Sequence, residues 1–455
     1  MTLAVAQDVI ASSVNRVVVG LGITGLSCAR HLHARGLSFV IVDTRDKPPG
    51  LDVVQREMPE VPVYTGSVPA GILSAATELI VSPGIAPDDQ LLAEAVAAGV
   101  SVVGDIDLFV REARAPVIGI TGSNAKSTVT ELLGLMARQA GLDVGVGGNL
   151  GTPALDLLQD SRELYVLELS SFQLERAGTL GLEVATVLNV SADHLDRHRN
   201  MLRYHQAKHR IFRGCKKVVV NADDPLTVPL VAEEVQQISW RLGEPGINGF
   251  GVRTTDGVDY LCRGFQSLLP VSELGIVGRH NVANALAALA LGEGAGLSLE
   301  SMCSALREFR GLPHRCELIA RIAGVSYVND SKGTNIGATT AALDGLGGAR
   351  DVLLIAGGQA KGADFGELRQ AVENHCKLVV LIGEDAPTLH AALDGAAPIV
   401  LAGSMVEAVQ ITAGRAAEGD TVLLSPACAS FDMFAGFAAR GEAFADAVRA
   451  LEVGV

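Results

Sequence analysis

The chain has 455 residues, enough for about three domains of ordinary size. Apolar residues make up 48% and charged residues 19%, which fits a folded α/β protein and leaves little sequence for extended disorder. The formal net charge of -15 argues against nucleic acid and against an anionic membrane surface, because both attract basic proteins.

The start of the chain and its apolar content predict a cytosolic protein. No basic residue precedes Arg16, so the first residues lack the positive region of a secretory signal. The most apolar helical stretch, residues 282–291, is too short to span a bilayer. The seven cysteines show no paired spacing, and we expect reduced, mostly buried thiols.

Residues 16–45 form the first recognisable unit, a strand, a glycine-rich turn, a helix and a second strand. Gly20, Gly22 and Gly25 make the turn, and Asp43 ends the second strand. This pattern is typical of Rossmann-type nucleotide binding, but the same glycines serve any ligand whose phosphates approach a helix start. A further strand, residues 78–81, leads to a loop at Ser82, where open α/β sheets bind ligands.

Two more β-α blocks follow. The second opens near Asp105 and contains buried strands at 115–121, 164–169 and 184–190. The third begins after Pro313, and its strands again alternate with helices. We therefore predict an α/β protein of three domains with mostly parallel sheets, at residues 1–104, 105–311 and 312–455.

The segment ITGSNAKSTVT, residues 120–130, is similar to a phosphate-binding loop but departs from its signature. Ala125 replaces the last glycine of that signature and Ile120 the first. Gly122 still allows a turn, Lys126 supplies a cation, and Ser127 or Thr128 can reach a magnesium ion. We expect Ala125 at helical backbone angles, which its methyl group tolerates. The alternative is an ordinary helix start capped by the side chain of residue 123 or 124.

Polar residues follow the next two buried strands. Glu168 ends one strand, and Asp193, His194 and His198 come after the other. If both strands neighbour the one that feeds the loop, Glu168 and His194 become candidate magnesium ligands. Taken alone, the spacing of the two histidines also suits zinc or a solvated helix start. In the basic helix 204–212, Lys208 faces either the phosphate site or solvent.

The third block places polar residues near strand ends, where a cation could bind a carboxylate or phosphate. These residues are Arg315, Asp330, Lys332, Thr334 and Lys361. Cys428 has no accompanying histidine and acid in the sequence, and we interpret it as a small buried residue.

Several segments together resemble the Mur ligases. They include GLGITGLS at 20–27, TGSNAKST at 121–128, ELSSFQLE at 168–175, NDSKGTN at 329–335 and SPACASFDMF at 425–434. The segments occur in family order from one end of the chain to the other. ELSSFQLE and SPACASFD are typical of the members that add D-glutamate.

This resemblance implies a Rossmann-like N-terminal domain for a UDP-sugar, a central P-loop-type ATPase domain and a Rossmann-like C-terminal domain. It implies an ATP-dependent amide ligase that joins D-glutamate to UDP-N-acetylmuramoyl-L-alanine through an acyl phosphate and a tetrahedral intermediate. The reaction would use two Mg²⁺ ions and serve cytoplasmic peptidoglycan precursor synthesis. We expect a monomer.

The resemblance also assigns residues by matching motif positions. The expected UDP-substrate contacts are Ile23, Thr24, Asp43, Thr44, Arg45, Ser82, Gly84 and Asn149. The expected ATP contacts are Gly122, Ser123, Asn124, Ala125, Lys126, Ser127, Thr128, Asn284, Arg315 and Asp330. The expected D-glutamate contacts are Thr334, Lys361, Ser430, Phe431 and Phe437.

The same comparison predicts the metal ligands and the catalytic residues. The expected metal ligands are Ser127, Glu168, His194 and Lys208, the last as a carbamate formed with carbon dioxide. Lys126, Lys208, His194 and Glu168 are the expected catalytic residues. Two positions depart from the family pattern, Ala125 in place of a common glycine and Gly333 in the NDSKGTN segment.

Three alternatives remain at this stage. A related amide ligase, such as a folylpolyglutamate synthase or another Mur ligase, would share the phosphate loop. An NAD-dependent dehydrogenase would explain Gly20 and Asp43 but would leave Lys126, Glu168 and the third block without a task. A non-catalytic nucleotide-binding regulator is the third alternative.

Overall fold

The computed structural model describes residues 15–149, 151–276, 278–360 and 362–453. It shows three α/β domains, each built around one sheet, which confirms the predicted fold class. Parallel strands dominate all three sheets because near-continuous apolar runs are buried on both faces by helices.

The N-terminal sheet is entirely parallel, in the order β3-β2-β1-β4-β5. Its strands are β1 (Arg16–Val19), β2 (Phe39–Asp43), β3 (Val63–Thr65), β4 (Glu78–Val81) and β5 (Ser101–Val103). The helices are α1 (Ile23–Ala34), α2 (Leu51–Glu57) and α3 (Gln90–Ala97), and α4 (Asp105–Glu112) leads to the next sheet.

The glycine turn after β1 has the geometry that its sequence predicts. Gly20 has φ +91°, in the left-handed region. A Cβ at Gly25 would collide with the carbonyl oxygen of Gly20, so only glycine lets α1 approach the strand this closely. The turn therefore lies at the edge of the sheet where β1, β2 and β4 all end.

The central sheet has nine strands in the order β14-β13-β12-β11-β10-β9-β6-β8-β7. Its strands are β6 (Val117–Thr121), β7 (Val144–Gly148), β8 (Leu164–Glu168), β9 (Val184–Val187), β10 (Lys217–Asn221), β11 (Gln236–Trp240), β12 (Phe250–Thr255), β13 (Val258–Arg263) and β14 (Gln266–Pro270). Its helices are α5 (Lys126–Gln139), α6 (Ser171–Leu174), α7 (Leu195–His198), α8 (Met201–His209), α9 (Arg279–Gly294) and α10 (Leu299–Glu308).

β6 lies between β8 and β9, and all three run parallel. The strand that feeds the phosphate loop therefore has as neighbours the two strands that carry Glu168 and precede His194, as the sequence predicts. The antiparallel extension β12-β13-β14 was not predicted, because each of its strands is short and contains at most two buried residues. The apolar stretch at 282–291 lies in α9 and packs in the core of this domain.

The C-terminal sheet has the order β15-β16-β20-β17-β18-β19, and β15 is antiparallel to the rest. Its strands are β15 (Glu317–Ile322), β16 (Val325–Asn329), β17 (Val352–Gly357), β18 (Cys376–Ile382), β19 (Ile399–Leu401) and β20 (Thr421–Leu424). Its helices are α11 (Ile336–Leu346), α12 (Arg369–His375), α13 (Ala386–Leu393), α14 (Met405–Ala413) and α15 (Phe437–Val453). The predicted alternation of strands with helices in this block is confirmed, and the half-exposed β15 was missed.

Two further predictions can be compared with the described residues. Within them, no helix combines the length and the apolar character needed to cross a membrane. None of the seven cysteines forms a disulfide, and six of them, Cys428 included, are buried, which confirms the prediction of mostly buried thiols.

Candidate active site

The phosphate loop joins β6 to α5, and Ala125 occupies its most constrained position. Ala125 has φ +68° and ψ -10°, a left-handed conformation that favours glycine. The expectation of helical backbone angles at Ala125 is therefore wrong. The capped-helix alternative is also wrong, because no side chain caps α5. Ser123 Oγ instead donates to the Ser191 carbonyl oxygen at 2.9 Å.

Two lysines converge on this loop. Lys126 Nζ donates to the carbonyl oxygens of Gly122 and Ser123, each at 2.9 Å. Lys208 Nζ donates to the same Gly122 oxygen at 2.7 Å and lies 4.4 Å from the centroid of the Tyr204 ring. The basic helix therefore turns Lys208 toward the phosphate site, and the solvated alternative is wrong for this residue.

Lys208 is almost completely buried, with 1% of its surface exposed. Burial lowers the pKa of its ammonium group well below the ordinary value, and the nearby charge of Lys126 lowers the pKa further. Asp193 and Glu168 act in the opposite direction but do not offset burial. The structure therefore favours the uncharged amine at Lys208.

Glu168 ends β8 directly beside the loop and is buried. Its Oε1 accepts a hydrogen bond of 2.7 Å from Asn149 Nδ2, and its Oε2 has no hydrogen-bond partner among the described residues. A buried carboxylate oxygen left without a partner is costly, and a bound cation would satisfy it. This oxygen fits a magnesium site.

His194 and His198 have different surroundings, although both follow β9. His194 Nε2 lies 3.6 Å from Asp193 Oδ2. His198 is buried and instead contacts Glu175 at 3.1 Å and Ser171 Oγ at 3.0 Å. A zinc site built from this histidine pair is therefore contradicted. Among the described residues, no group of three or more His, Cys, Asp or Glu side chains could hold a metal by itself.

A cavity of about 810 Å³ lies between the central and C-terminal domains. Its lining includes Asn124, Ala125, Thr128, Asn284, Arg315 and Asp330, which are six of the expected ATP contacts. Arg315 Nη2 donates to Ser127 Oγ at 2.6 Å, across 188 residues of sequence. Burial lowers the pKa of Arg315 and raises the pKa of Asp330 to about 6.

A second cavity of about 560 Å³ opens where β1, β2 and β4 end. Its lining includes all eight expected UDP-substrate contacts, namely Ile23, Thr24, Asp43, Thr44, Arg45, Ser82, Gly84 and Asn149. Burial opposes ionisation of Asp43, but hydrogen bonds from the Arg45 side chain and the Leu21 amide outweigh it and lower the pKa. The Asp43 carboxylate is therefore ionised and fixed.

The expected D-glutamate contacts are assembled less completely. Thr334, Ser430, Phe431 and Phe437 line neither cavity. Ser430 is buried, whereas the Phe431 side chain is 72% exposed. The Phe437 ring centroid lies 3.9 Å from Lys332 Nζ. Lys361 lies outside the described residues.

Sequence reasoning missed Asn335, which joins the C-terminal domain to the phosphate loop. Asn335 Nδ2 donates to Asn124 Oδ1 at 3.1 Å, and Asn124 Nδ2 donates to Asn335 Oδ1 at 3.3 Å. Asn335 Nδ2 also donates to Asp193 Oδ2 at 3.1 Å. The only signal in the sequence was its place at the end of NDSKGTN, where an asparagine also suits a helix cap.

A phosphate loop with two lysines, placed beside a separate Rossmann-type cavity, defines a nucleotide-dependent group-transfer enzyme. The chain belongs to the Mur ligase family. Family models match at residues 14–104 (Mur ligase MurD-like, N-terminal domain), 120–292 (Mur ligase middle domain) and 314–428 (Mur ligase, glutamate ligase domain). This membership makes the chain an ATP-dependent ligase and rejects the dehydrogenase alternative.

Two curated relatives match almost end to end. The UDP-N-acetylmuramoylalanine–D-glutamate ligase of Pseudomonas aeruginosa is 54% identical over 98% of this chain and 100% of its own length. The enzyme of the same name from Acinetobacter baylyi is 51% identical over 96% of this chain and 98% of its own length.

Solved structures show the same fold at low identity. A pseudomurein peptide ligase type C from Methanothermus fervidus matches with a TM-score of 0.63 and 17% identity, covering 96% of this chain and 100% of its own. The MurF ligase of Thermotoga maritima in complex with ADP matches with a TM-score of 0.60 and 17% identity, covering 98% and 100%.

Proposed function

We propose that this Mur ligase uses ATP to join D-glutamate to the alanyl carboxylate of UDP-N-acetylmuramoyl-L-alanine. The near full-length likeness to relatives named for this reaction supports the choice of substrates. The geometric observation that carries the proposal is the 2.7 Å hydrogen bond between Asn149 and Glu168. Asn149 lines the 560 Å³ cavity, here called the UDP-side cavity, and Glu168 lies at the phosphate loop. A sugar-linked carboxylate and a nucleotide phosphate could therefore meet between them.

The chain's residues divide the work of this reaction. We assign the ATP phosphates to residues 122–128 and the adenosine to Asn284, Arg315 and Asp330. We assign the UDP end of the substrate to the residues that line the 560 Å³ cavity. D-Glutamate is assigned to Thr334, Lys361, Ser430, Phe431 and Phe437.

Carboxylate is a poor electrophile, so the alanyl carboxylate must first receive a phosphoryl group from ATP. The amine of D-glutamate then attacks the acyl phosphate, and the tetrahedral intermediate loses phosphate to give the amide. We assign Lys126 to the transferring phosphoryl group. Its ammonium group would exchange the loop carbonyl oxygens for phosphate oxygens, and its charge would stabilise the transition state.

The donor set fits magnesium. Ser127, Glu168, His194 and Lys208 would hold two Mg²⁺ ions, which would neutralise charge on the phosphates. The unpartnered Oε2 of Glu168 supports this assignment. Ser127 would have to exchange its hydrogen bond with Arg315 for the cation.

We propose that Lys208 acts as a carbamate. An uncharged amine attacks carbon dioxide, forming an N–C bond and releasing a proton, which gives a carbamate with anionic oxygen ligands. The lowered pKa of the buried Lys208 supports this step, because burial favours the uncharged amine over the ammonium. A buried ammonium beside a magnesium ion would be repelled.

The amino acid can be identified by measuring phosphate release and product mass. With ATP, Mg²⁺ and UDP-N-acetylmuramoyl-L-alanine, we expect turnover with D-glutamate and none with L-glutamate, L-lysine or L-alanine. Turnover with L-lysine or L-alanine but not with D-glutamate would contradict the proposal. ATP binding without an amide product would favour a non-catalytic regulator.

We further propose where and in what form the enzyme works. The reaction belongs in the cytoplasm, where its nucleotide substrates are made, and its product supports wall growth and thereby cell shape and division. Domain boundaries near 104 and 311 are supported by the strands of the three sheets, which lie within 16–103, 117–270 and 317–424. We expect a monomer, which sedimentation analysis can test.

A further inference from the structure

Arg197 links the central domain to the loop that follows β4 in the N-terminal domain. It belongs to α7, which begins one residue after His194, the proposed metal ligand. The loop contains Ser82 and Gly84, which line the UDP-side cavity. Arg197 therefore connects the segment that contains His194 to the loop that lines the UDP-side cavity.

The guanidinium of Arg197 binds three successive carbonyl oxygens of this loop. Nη1 donates to the Gly84 oxygen at 3.1 Å, and Nη2 donates to the oxygens of Pro83 and Ile85 at 3.3 and 3.0 Å. Nε and Nη2 also donate to Glu175 Oε2 at 3.2 and 2.9 Å. A planar group with five N–H donors can serve this many acceptors, whereas a lysine ammonium has three donors at one point.

Phe172 connects the same guanidinium to His194. The ring of Phe172 lines the UDP-side cavity, with its centroid 5.0 Å from the Arg197 guanidinium carbon. On another side, the ring packs edge to face against the His194 ring, with the centroids 4.9 Å apart. A shift of Arg197 would therefore disturb both a wall of the cavity and the orientation of His194.

This contact is mostly shielded from solvent. The side chains of Arg197 and Glu175 are 15% and 14% exposed. Burial opposes ionisation of Glu175, but hydrogen bonds from His198 and Arg197 outweigh it and lower the pKa of the carboxyl group. The pair is thus ionised and fixed in place. By contrast, Arg199 of the central domain and Asp88 of the N-terminal domain form an ion pair whose side chains are 62% and 59% exposed.

We propose that Arg197 is a positioning residue that shapes residues 83–85 for the UDP substrate and, through Phe172, aligns His194 with that substrate. This inference rests on the proposed function. Lysine at position 197 would keep the charge but supply fewer donors to the loop carbonyls and to Glu175 Oε2, while Glu175 Oε1 would keep its contact with His198. The UDP-side cavity should change shape, whereas the 810 Å³ cavity, which is lined by other residues, should keep its shape.

Calorimetric titration of the full chain tests the proposal with two probes, UDP-N-acetylmuramoyl-L-alanine and ADP. Arg197→Lys should weaken binding of the UDP substrate roughly tenfold and change ADP binding less than about twofold. The matched control is Arg199→Lys, which crosses the same boundary at an exposed pair and should bind both probes like the wild type. In turnover assays, Arg197→Lys should raise KM for the UDP substrate and lower kcat, with KM for ATP unchanged.

The outcomes separate this inference from the proposed function. A wild-type chain that binds no UDP-N-acetylmuramoyl-L-alanine would contradict the function itself. Wild-type binding together with unchanged affinity in Arg197→Lys, an equal loss in Arg199→Lys, or a parallel loss of ADP affinity would overturn the role of Arg197. If Arg197→Lys fails to fold, the same two titrations are made with Glu175→Gln. Weaker UDP-substrate binding with normal ADP binding would support the proposal, and unchanged binding of both would overturn it.

Discussion

Ala125 shows how one backbone angle can depart from what its side chain prefers. Its φ of +68° would cost an alanine about 1–2 kcal/mol relative to the right-handed region. We expect Ala125→Gly to leave the free energy of unfolding unchanged or raise it by up to about 1 kcal/mol, since relief of strain offsets the greater freedom of unfolded glycine. Urea unfolding followed by the fluorescence of Trp240, the single tryptophan, measures this in the same domain.

The matched control is the same substitution inside the helix that follows. Ala137 is buried in α5, so Ala137→Gly should lower the free energy of unfolding by about 1 kcal/mol or more. Equal losses at positions 125 and 137 would contradict the argument from the left-handed angle.

Lys208 supports a second prediction at the scale of one residue. Lys208→Ala should lower kcat roughly 10²-fold, because the anionic carbamate proposed at the phosphate site is lost. Formate or acetate should restore part of the activity by supplying the missing carboxylate. The control is Lys216→Ala, an exposed lysine paired with Glu183, which should keep full activity. Undiminished turnover in Lys208→Ala would remove the carbamate from the mechanism.

At the scale of elements, α4 begins with a buried carboxylate. Asp105 Oδ2 accepts a hydrogen bond of 2.9 Å from Gln173 Nε2, and its Oδ1 has no partner. Burial raises the pKa of this carboxyl group from 3.8 to about 6. The group therefore favours folding below about pH 4, and this contribution is lost as the pH rises through 6.

Asp105→Asn should consequently stabilise the protein in a pH-dependent way. The gain over the wild type should be small near pH 4.5 and reach roughly 2–4 kcal/mol above pH 7, since each pKa unit corresponds to about 1.4 kcal/mol. Thermal unfolding measured from pH 4.5 to 8 tests this. Asp52→Asn removes an exposed charge from the first turn of α2, so an effect shared by both variants would not come from burial. A difference independent of pH would contradict the argument.

At the scale of the whole molecule, the two cavities share no lining residue and should respond separately to mutation. Lys126 lies at the phosphate loop and is not among the residues that line the UDP-side cavity. Lys126→Ala should lower kcat roughly 10²–10³-fold while changing UDP-substrate binding less than about twofold. Phosphate release and calorimetry measure the two effects, and an equal loss of both would contradict the separation of the sites.

Local patterns in the sequence were enough to predict the order of the parts. The glycine turn after β1, the loop that leads into α5 and the buried strands were readable because each depends on nearby residues: apolar runs, glycines and a helix start. The position of Glu168 at a strand end was readable for the same reason. Short half-exposed strands such as β15 were missed, because the apolar residues of β15 lie among charged ones and none of its six residues is buried.

How these parts meet depends on packing between segments that are far apart in the sequence. The place of β6 between β8 and β9 brings Glu168 and His194 to one loop, whereas His198 turns toward Glu175. Arg315 reaches Ser127 across 188 residues, and Arg197 reaches Gly84 across 113. The left-handed angle at Ala125 likewise comes from the contacts of the loop rather than from its own preference. Strand order and contacts between domains depend on packing between distant segments, which a local pattern does not encode.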